Sequence, residues 1–263
     1  MENGADIGIA LKTAIVASWF AALFVAERLS PADPRAARRA LREGRWRRLG
    51  RNGSLWLINT GLSLLVILPL TQVAVAAHLD WRPLWWRGWA GVALDVLLLD
   101  FLIYWWHRAN HEMPFLWRFH EVHHLDATLD TTTAVRFHFG EVMLSALARA
   151  AVVVPLAFPM ASVLAFESSV LMAALFHHSN LRLPPGFERA LSRVVITPSI
   201  HWVHHHAVRT DTDSNYGTVF SFWDPLFGSR SRTPRASGMA IGVEGKGEEP
   251  LLSLIAHPAR PAT

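Results

Sequence analysis

Residues 89–124 read WAGVALDVLLLDFLIYWWHRANHEMPFLWRFHEVHH. The first half, Trp89 to Trp106, is apolar except for Asp95 and Asp100, as a membrane-crossing helix would be. The run then passes into His107 and His111, an H-x3-H, and on to His120, His123 and His124, an H-x2-H-H. Farther along, His201, His204 and His205 repeat the second pattern. On a helix, positions i, i+3 and i+4 share a face, so each cluster is expected to aim two or three imidazoles at one point. Imidazole is the commonest protein ligand for iron, copper and zinc, and this many converging rings imply two ions rather than one. With 14 histidines in 263 residues, chance would supply about 0.04 copies of an H-x2-H-H per chain. Two copies and an H-x3-H are present.

Three further apolar stretches flank this region. Ile7–Val25 is interrupted only by Lys12, and Leu55–Ala77 carries no charge. Val142–Phe176 is long enough for a hairpin, broken near Pro155 and Pro159, and holds Arg149 and Glu167. Trp81, Trp85, Trp86 and Trp89 cluster before the span that follows, as an interfacial aromatic belt does. With 51% apolar and 17% charged residues, the expected fold is all-α. It is an integral, multi-pass membrane protein with about four transmembrane helices carrying a cytoplasmic, helical, histidine-rich metal cap.

Orientation comes from residues 28–51, which hold nine Arg against Asp33 and Glu43. The positive-inside rule puts that loop in the cytoplasm. Alternating spans then return His107 to the same face, and the hairpin returns His177. The chain divides into residues 1–106, spans one to three with the Arg-rich loop 28–51; residues 107–229, the histidine region with its membrane hairpin 142–176; and a tail, 230–263. The tail is rich in Gly, Pro and small residues and reads as a loosely packed cytoplasmic appendage. The Arg-rich loop has a single aromatic, Trp46, and no nucleic-acid module, so it reads as a topology signal, with no nucleic-acid partner. The absence of Cys excludes disulfides and thiolate metal sites. No glycine-rich nucleotide fingerprint occurs.

Around the clusters stand polar residues expected to orient the ligands. Asp100 and Tyr104 continue the stripe of His107 and His111, and an Asp in an apolar span needs a partner. Asp100 either fixes the tautomer of a ligand His or pairs with Arg108 or another Arg. Asp126 follows the second cluster as a candidate acceptor, while Glu121 lies off its histidine face. RFHFGE contributes His138, either a further ligand or part of the substrate entrance, and Glu141. One of His177 and His178 is expected to ligate, with His178 preferred, and Asn180 follows as a supporting residue. His206 is displaced from its cluster and also reads as supporting. The turn-rich segment with Asp211, Asp213, Tyr216, Gly217 and Asp224 reads mainly as caps and a lid, with Asp224 near enough to support the site.

In order, DFLIYWWHRANH, LWRFHEVHH, RFHFGE, HHSN, HWVHHH and NYGTVFSFWDPLFG resemble the fatty acid hydroxylase/sterol desaturase superfamily of membrane di-iron enzymes, from about Asp100 to Gly228. The resemblance implies that the three boxes bind two non-haem irons that activate O2. It also implies a lipid substrate entering from the bilayer, such as a sterol, fatty acyl chain, carotenoid or ether lipid, and a separate electron donor, a reductase or ferredoxin-like protein. Hydroxylation is favoured on the resemblance; desaturation by the same site, or metal binding without catalysis, are the alternatives. A His-rich site does not select iron by affinity, so recombinant protein can carry zinc. Relatives often have Pro after the RFH histidine, where this chain has Phe139. A metal transporter would string its ligands along a transmembrane path, and a di-haem cytochrome needs no histidine triplets.

Overall fold

The computed structural model describes residues 2–42, 44–79 and 81–260, with backbone only at 2–12, 40–42 and 45. Glu43, counted above in the Arg-rich stretch, lies outside them, as does the Lys12 side chain. Among the described residues the chain is helical, with three isolated β-bridges and no strand. The main helices are α1 (Glu2–Leu29), α2 (Pro34–Arg42), α3 (Arg45–Leu62), α4 (Leu68–Ala76), α5 (Gly88–Glu112), α6 (Pro114–His124), α7 (Phe139–Leu156), α8 (Met160–His178), α9 (Pro185–Leu191) and α10 (Pro198–His204).

Among the described residues, four helical stretches are long and apolar enough to cross a membrane: Trp46–Ala76, α5, α7 and α8. The chain is a membrane protein. The first expected span lies on α1, where the described side chains pack against α8. Leu23 meets Leu175, and the Trp19 indole donates to the Met172 carbonyl at 3.0 Å. Between α3 and α4 the ladder widens into a π turn, Ser63–Ile67. Pro69 lacks an N–H and crowds the carbonyl four residues back, and the wider turn accommodates it. The hairpin reverses between α7 and α8, where Ala157 adopts a left-handed conformation (φ 55°) and Pro159 opens α8.

The two ends of the bundle are built differently. At one end the loop before α5 packs on the α7–α8 turn: Leu79 N–H donates to Val154, and the Trp81 indole donates to Pro155. Asp95 is fully buried there, accepting from both Arg82 Nη atoms at 2.8 Å, from the Trp86 indole at 2.8 Å and from Ser162 Oγ at 2.6 Å. Deeper in the hairpin, Arg149 of α7 pairs with Glu167 of α8 at 3.2 Å, which answers the cost of charged groups inside a span. At the other end the C-termini of α5 and α8 meet α6, α10 and the N-terminus of α7.

Two expectations fail at this second end. The Arg-rich stretch is helical, forming α2 and the head of α3. Trp46–Ala76 has 31 residues, about 46 Å of helix against roughly 30 Å of hydrocarbon, so its first turns stand outside the membrane. From there Arg48 reaches Asp126 (2.7 and 2.8 Å), Asp130 (2.7 and 3.1 Å) and the Thr128 carbonyl (2.6 Å). Asp126 therefore does not orient a histidine. Burial alone would raise its pKa, but the charges of Arg48 and Arg136 outweigh that and hold it well below the usual carboxylate range. Once a guanidinium is buried, the carboxylate nearest it is the partner it cannot do without.

The tail is not loosely packed. Leu254 is fully buried against Leu55, Val122 and Leu125. Glu121, off the histidine face as expected, accepts from Lys246 Nζ at 2.6 Å and pairs with His257 Nε2 at 2.8 Å. Glu248 pairs with the buried Arg136 at 3.2 Å and also contacts Arg51. Small residues made the segment look like linker, but Lys246, Glu248, Leu254 and His257 tie it to the cap.

Candidate metal centre

Nine histidines converge at this end in two groups. His107 and His111 of α5, His120 and His124 of α6 and His204 of α10 form one. His123 of α6, His178 of α8, His201 of α10 and His205 just past its end form the other. Within each group the candidate ligand atoms lie within 4.8 Å of one another. The expectation that each sequence cluster aims at a single point is corrected here, because each H-x2-H-H is divided between the groups. At about 100° per residue, the last two histidines of that motif diverge while the first and last stay within roughly 40°. The groups touch where His124 stacks on His205, ring centroids 4.3 Å apart.

Acceptors outside the rings set their orientation. The Nδ1–H of His107 donates to the Tyr216 carbonyl (2.8 Å), that of His204 to Ser214 (2.6 Å), that of His123 to Arg136 (3.0 Å) and that of His178 to Ala174 (2.7 Å). His120 Nδ1 meets Glu141 Oε1 at 2.7 Å, and His111 Nδ1 lies 3.3 Å from Asp213 Oδ1. A carbonyl only accepts, so the proton sits on Nδ1 and the lone pair on Nε2. Nε2 of His111 and of His204 is buried with no hydrogen-bond partner.

The most telling contact lies in the second group. Nε2 of His123 and Nε2 of His178 are 3.0 Å apart, and each ring already commits its proton to a carbonyl at Nδ1. Two lone pairs facing at that distance repel unless a cation lies between them. The spacing is short enough for one ion to reach both from about 2.1 Å. His178 and His201 also meet at 3.0 Å, His201 and His205 at 3.1 Å, and His120 and His124 at 3.2 Å. Protonation is no escape: burial, reinforced by neighbouring imidazoles, pulls His123, His124, His201 and His205 well below the ordinary histidine range. Burial lowers His204 to about 3. These donors fit metal ions and little else.

The supporting residues fall out as follows. Glu141 touches His120 of the first group and Asp213 lies 3.3 Å from His111, whereas Asp100, Asp126 and Asp224 touch no histidine of either group. Asp100 accepts the N–H groups of Val219 and Phe220 at 3.1 Å and the Trp223 indole at 2.8 Å, so it neither fixes a histidine nor pairs with Arg108. Asp224 accepts from Tyr216 N–H (2.7 Å) and Gly217 N–H (3.0 Å), and so holds the loop whose carbonyl orients His107. A Cβ at Gly217 would lie 2.8 Å from the Phe220 carbonyl, so only glycine fits that loop. Tyr104 is buried and shares a 2.8 Å hydrogen bond with Ser229, away from the rings. Asn180 exchanges hydrogen bonds with the backbone of Asp33, and His206 contacts Asp211 at 2.8 Å.

His138 lies outside both groups. Its Nδ1 accepts the Gly140 N–H at 2.9 Å as the cap of α7, and its Nε2 donates to the Ile255 carbonyl at 3.0 Å. Both nitrogens are used, so it has none to offer a metal. Phe139 then takes the first position of α7, where a proline would also fit, which explains the departure from the related motif. His177 is likewise outside the groups, packed on His201 with ring centroids 3.9 Å apart. Sequence reasoning missed the carbonyls of Ala174, Arg136, Ser214 and Tyr216, for a carbonyl leaves no signature in a sequence.

Fold and site together define a membrane protein with paired histidine clusters able to bind metal. Its residues 92–229 match the family model described as fatty acid hydroxylase, and the chain belongs to that family. Similar proteins include ornithine lipid hydroxylase OlsE of Rhizobium tropici, 29% identical over 194 residues, covering 74% of this chain and 58% of the relative. Alkylglycerol monooxygenase of Xenopus tropicalis is 33% identical over 147 residues, 55% of this chain and 30% of the relative. Lathosterol oxidase of Rattus norvegicus is 29% identical over 150 residues, 54% and 47% respectively. The chain thus spans less than two thirds of the length of each. No solved structure matches it.

Proposed function

We propose that the chain is an O2-dependent di-iron monooxygenase that hydroxylates a membrane lipid. The observation that carries this reading is the facing pair His123 and His178, with its neighbours, at the end of a membrane bundle. Family membership supports the chemistry, and relatives named for ornithine lipid, alkylglycerol and lathosterol support a lipid substrate. His107, His111, His120, His124 and His204 would hold one iron, and His123, His178, His201 and His205 the other. When bound, the pair supplies reductive activation of O2: RH, O2, two electrons and two protons become ROH and water.

The chain's own part is to position and to keep dry. Donation from Nδ1 holds the rings of His107, His123, His178 and His204 with Nε2 toward the centre, and Glu141 makes His120 a stronger donor. Burial keeps His123, His124, His201, His204 and His205 neutral. The apolar flanks of the spans let a lipid arrive sideways from the bilayer. The Arg-rich stretch lies at the histidine end, so the positive-inside rule assigns that end to the cytoplasm, where a separate reductase or ferredoxin-like donor would deliver electrons.

The test is lipid mass spectrometry on membranes expressing the chain under 18O2, with His204→Ala as control. A lipid that gains one 18O only with the intact site is expected. A new double bond without label would replace hydroxylation by desaturation, and oxygen transfer by the variant at the normal rate would overturn the assignment.

A further inference from the structure

A cavity of about 430 Å³ lies behind α10, on the side away from the histidine groups. α10 turns Ser199, Ile200 and Val203 toward it, while His201, His204 and His205 point into the metal centre. Its walls include Arg182, Arg230 and Arg235, against the carboxylates of Asp33 and Glu188. Its volume falls within the roughly 300–1,000 Å³ typical of small-ligand sites.

The charges inside are not balanced. Asp33 already accepts the N–H groups of Arg35 (2.8 Å), Ala36 (3.3 Å) and Gly238 (2.8 Å) and the Ser237 hydroxyl (3.2 Å). Glu188 accepts the Ser199 N–H at 3.0 Å. Both acids serve the fold. The Arg235 guanidinium carbon sits over the ring of the fully buried Trp202, 3.9 Å from its centroid, and its Nη2 reaches Asn180 Oδ1 at 3.3 Å. No carboxylate of the described residues is in ion-pair contact with it; Glu188 and Asp33 act on it only from a distance. Burial draws its pKa down to about 10, so it stays charged at neutral pH. A half-buried guanidinium held over an indole ring and by one long hydrogen bond lacks the anion such a group ordinarily requires.

The position of the cavity matters as much as its charge. Ala32, Asp33 and Arg182 line it only a few residues beyond the ends of α1 and α8, and Pro31 bridges Leu181 there. That is the depth of lipid headgroups. Three guanidiniums against two carboxylates leave one positive charge, which a phosphodiester cancels, and guanidinium binds phosphate oxygens in bidentate fashion. We propose that this cavity binds a phosphate group, carried by a phospholipid headgroup or free in solution, at a site separate from the metal centre.

The test uses the full chain in a neutral detergent, probed with short-chain phosphatidylglycerol and with inorganic phosphate, and reads saturable shifts in melting temperature. Arg235→Met, and separately Arg182→Met with Arg230→Met, should each weaken binding at least tenfold while metal content per chain stays at the wild-type level. Saturation by the lipid alone identifies a headgroup site; equal saturation by inorganic phosphate identifies a free-phosphate site. If neither probe saturates, or if the affinity of the double variant equals that of wild type, the proposal is overturned. Arg182 and Arg230 are exposed, so the double variant decides even if Arg235→Met fails to fold.

Discussion

The two ends of the bundle bury polar groups to opposite effect. At one end Asp95 has a donor for each oxygen from Arg82, Trp86 and Ser162. At the other, imidazole nitrogens face one another at 3.0–3.2 Å, and Nε2 of His111 and of His204 have no partner. A fully satisfied buried cluster holds a fold together, whereas one left unsatisfied inside a rigid frame is waiting for a ligand.

That contrast can be broken in several ways. The largest effect is expected at the facing pair: His123→Ala or His178→Ala should reduce oxygenation to background and lower metal content by mass spectrometry, with the protein still in the membrane. Normal metal content in both variants would erase the distinction between the ends. Next, Glu141→Gln keeps the shape of the acceptor but weakens its hold on His120, and should cost about 10–100-fold in metal affinity or activity. Chelator titration would measure it, and an unchanged affinity would remove Glu141 from the centre.

The opposite end should answer on a different axis. Arg82→Met leaves Asp95 buried without its ion pair and should destabilise the protein by about 3 kcal/mol or more. Activity per metal-loaded molecule should remain within about twofold, because no histidine group touches that cluster. The smallest effect is in pH. His123, His204 and His205 are buried and neutral in the folded chain, with pKa lowered, His204 to about 3. The unfolded chain takes up protons near pH 6.5, so metal-depleted protein is fully stabilised above that value and loses stability as the pH falls below it. Melting temperatures at pH 7.5 and 5.5 should show the decline, and a rise on acidification would contradict the burial of these rings.

Much of this could be read from the residues alone. The spans from Leu55 onward were legible because uninterrupted apolar runs have few alternatives, and the boxes because histidine is seldom clustered by accident. The partition of each box between two groups was not, although the angular step of a helix already contained it. Asp100 and Asp126 misled for a shared reason: a lone carboxylate near histidines looks like their acceptor, and only the fold reveals a nearer claimant, the N–H groups at 219–223 or Arg48. His138 misled because a histidine capping a helix and one binding a metal look alike in sequence. The tail was opaque because its hold on the cap depends on a handful of residues, Lys246, Glu248, Leu254 and His257, spaced among glycines and prolines.

The sharing of α6 and α10 between the two groups has a mechanical consequence. His120 and His124 serve one group and His123 the other, just as His204 serves one and His201 the other. The interval between the centres is therefore a property of two helical repeats, with no flexible loop in series. A twist of either helix that relaxes one centre must strain its neighbour, so the pair behaves as a single stiff gauge, set when the helices pack and hard to retune by mutating a loop.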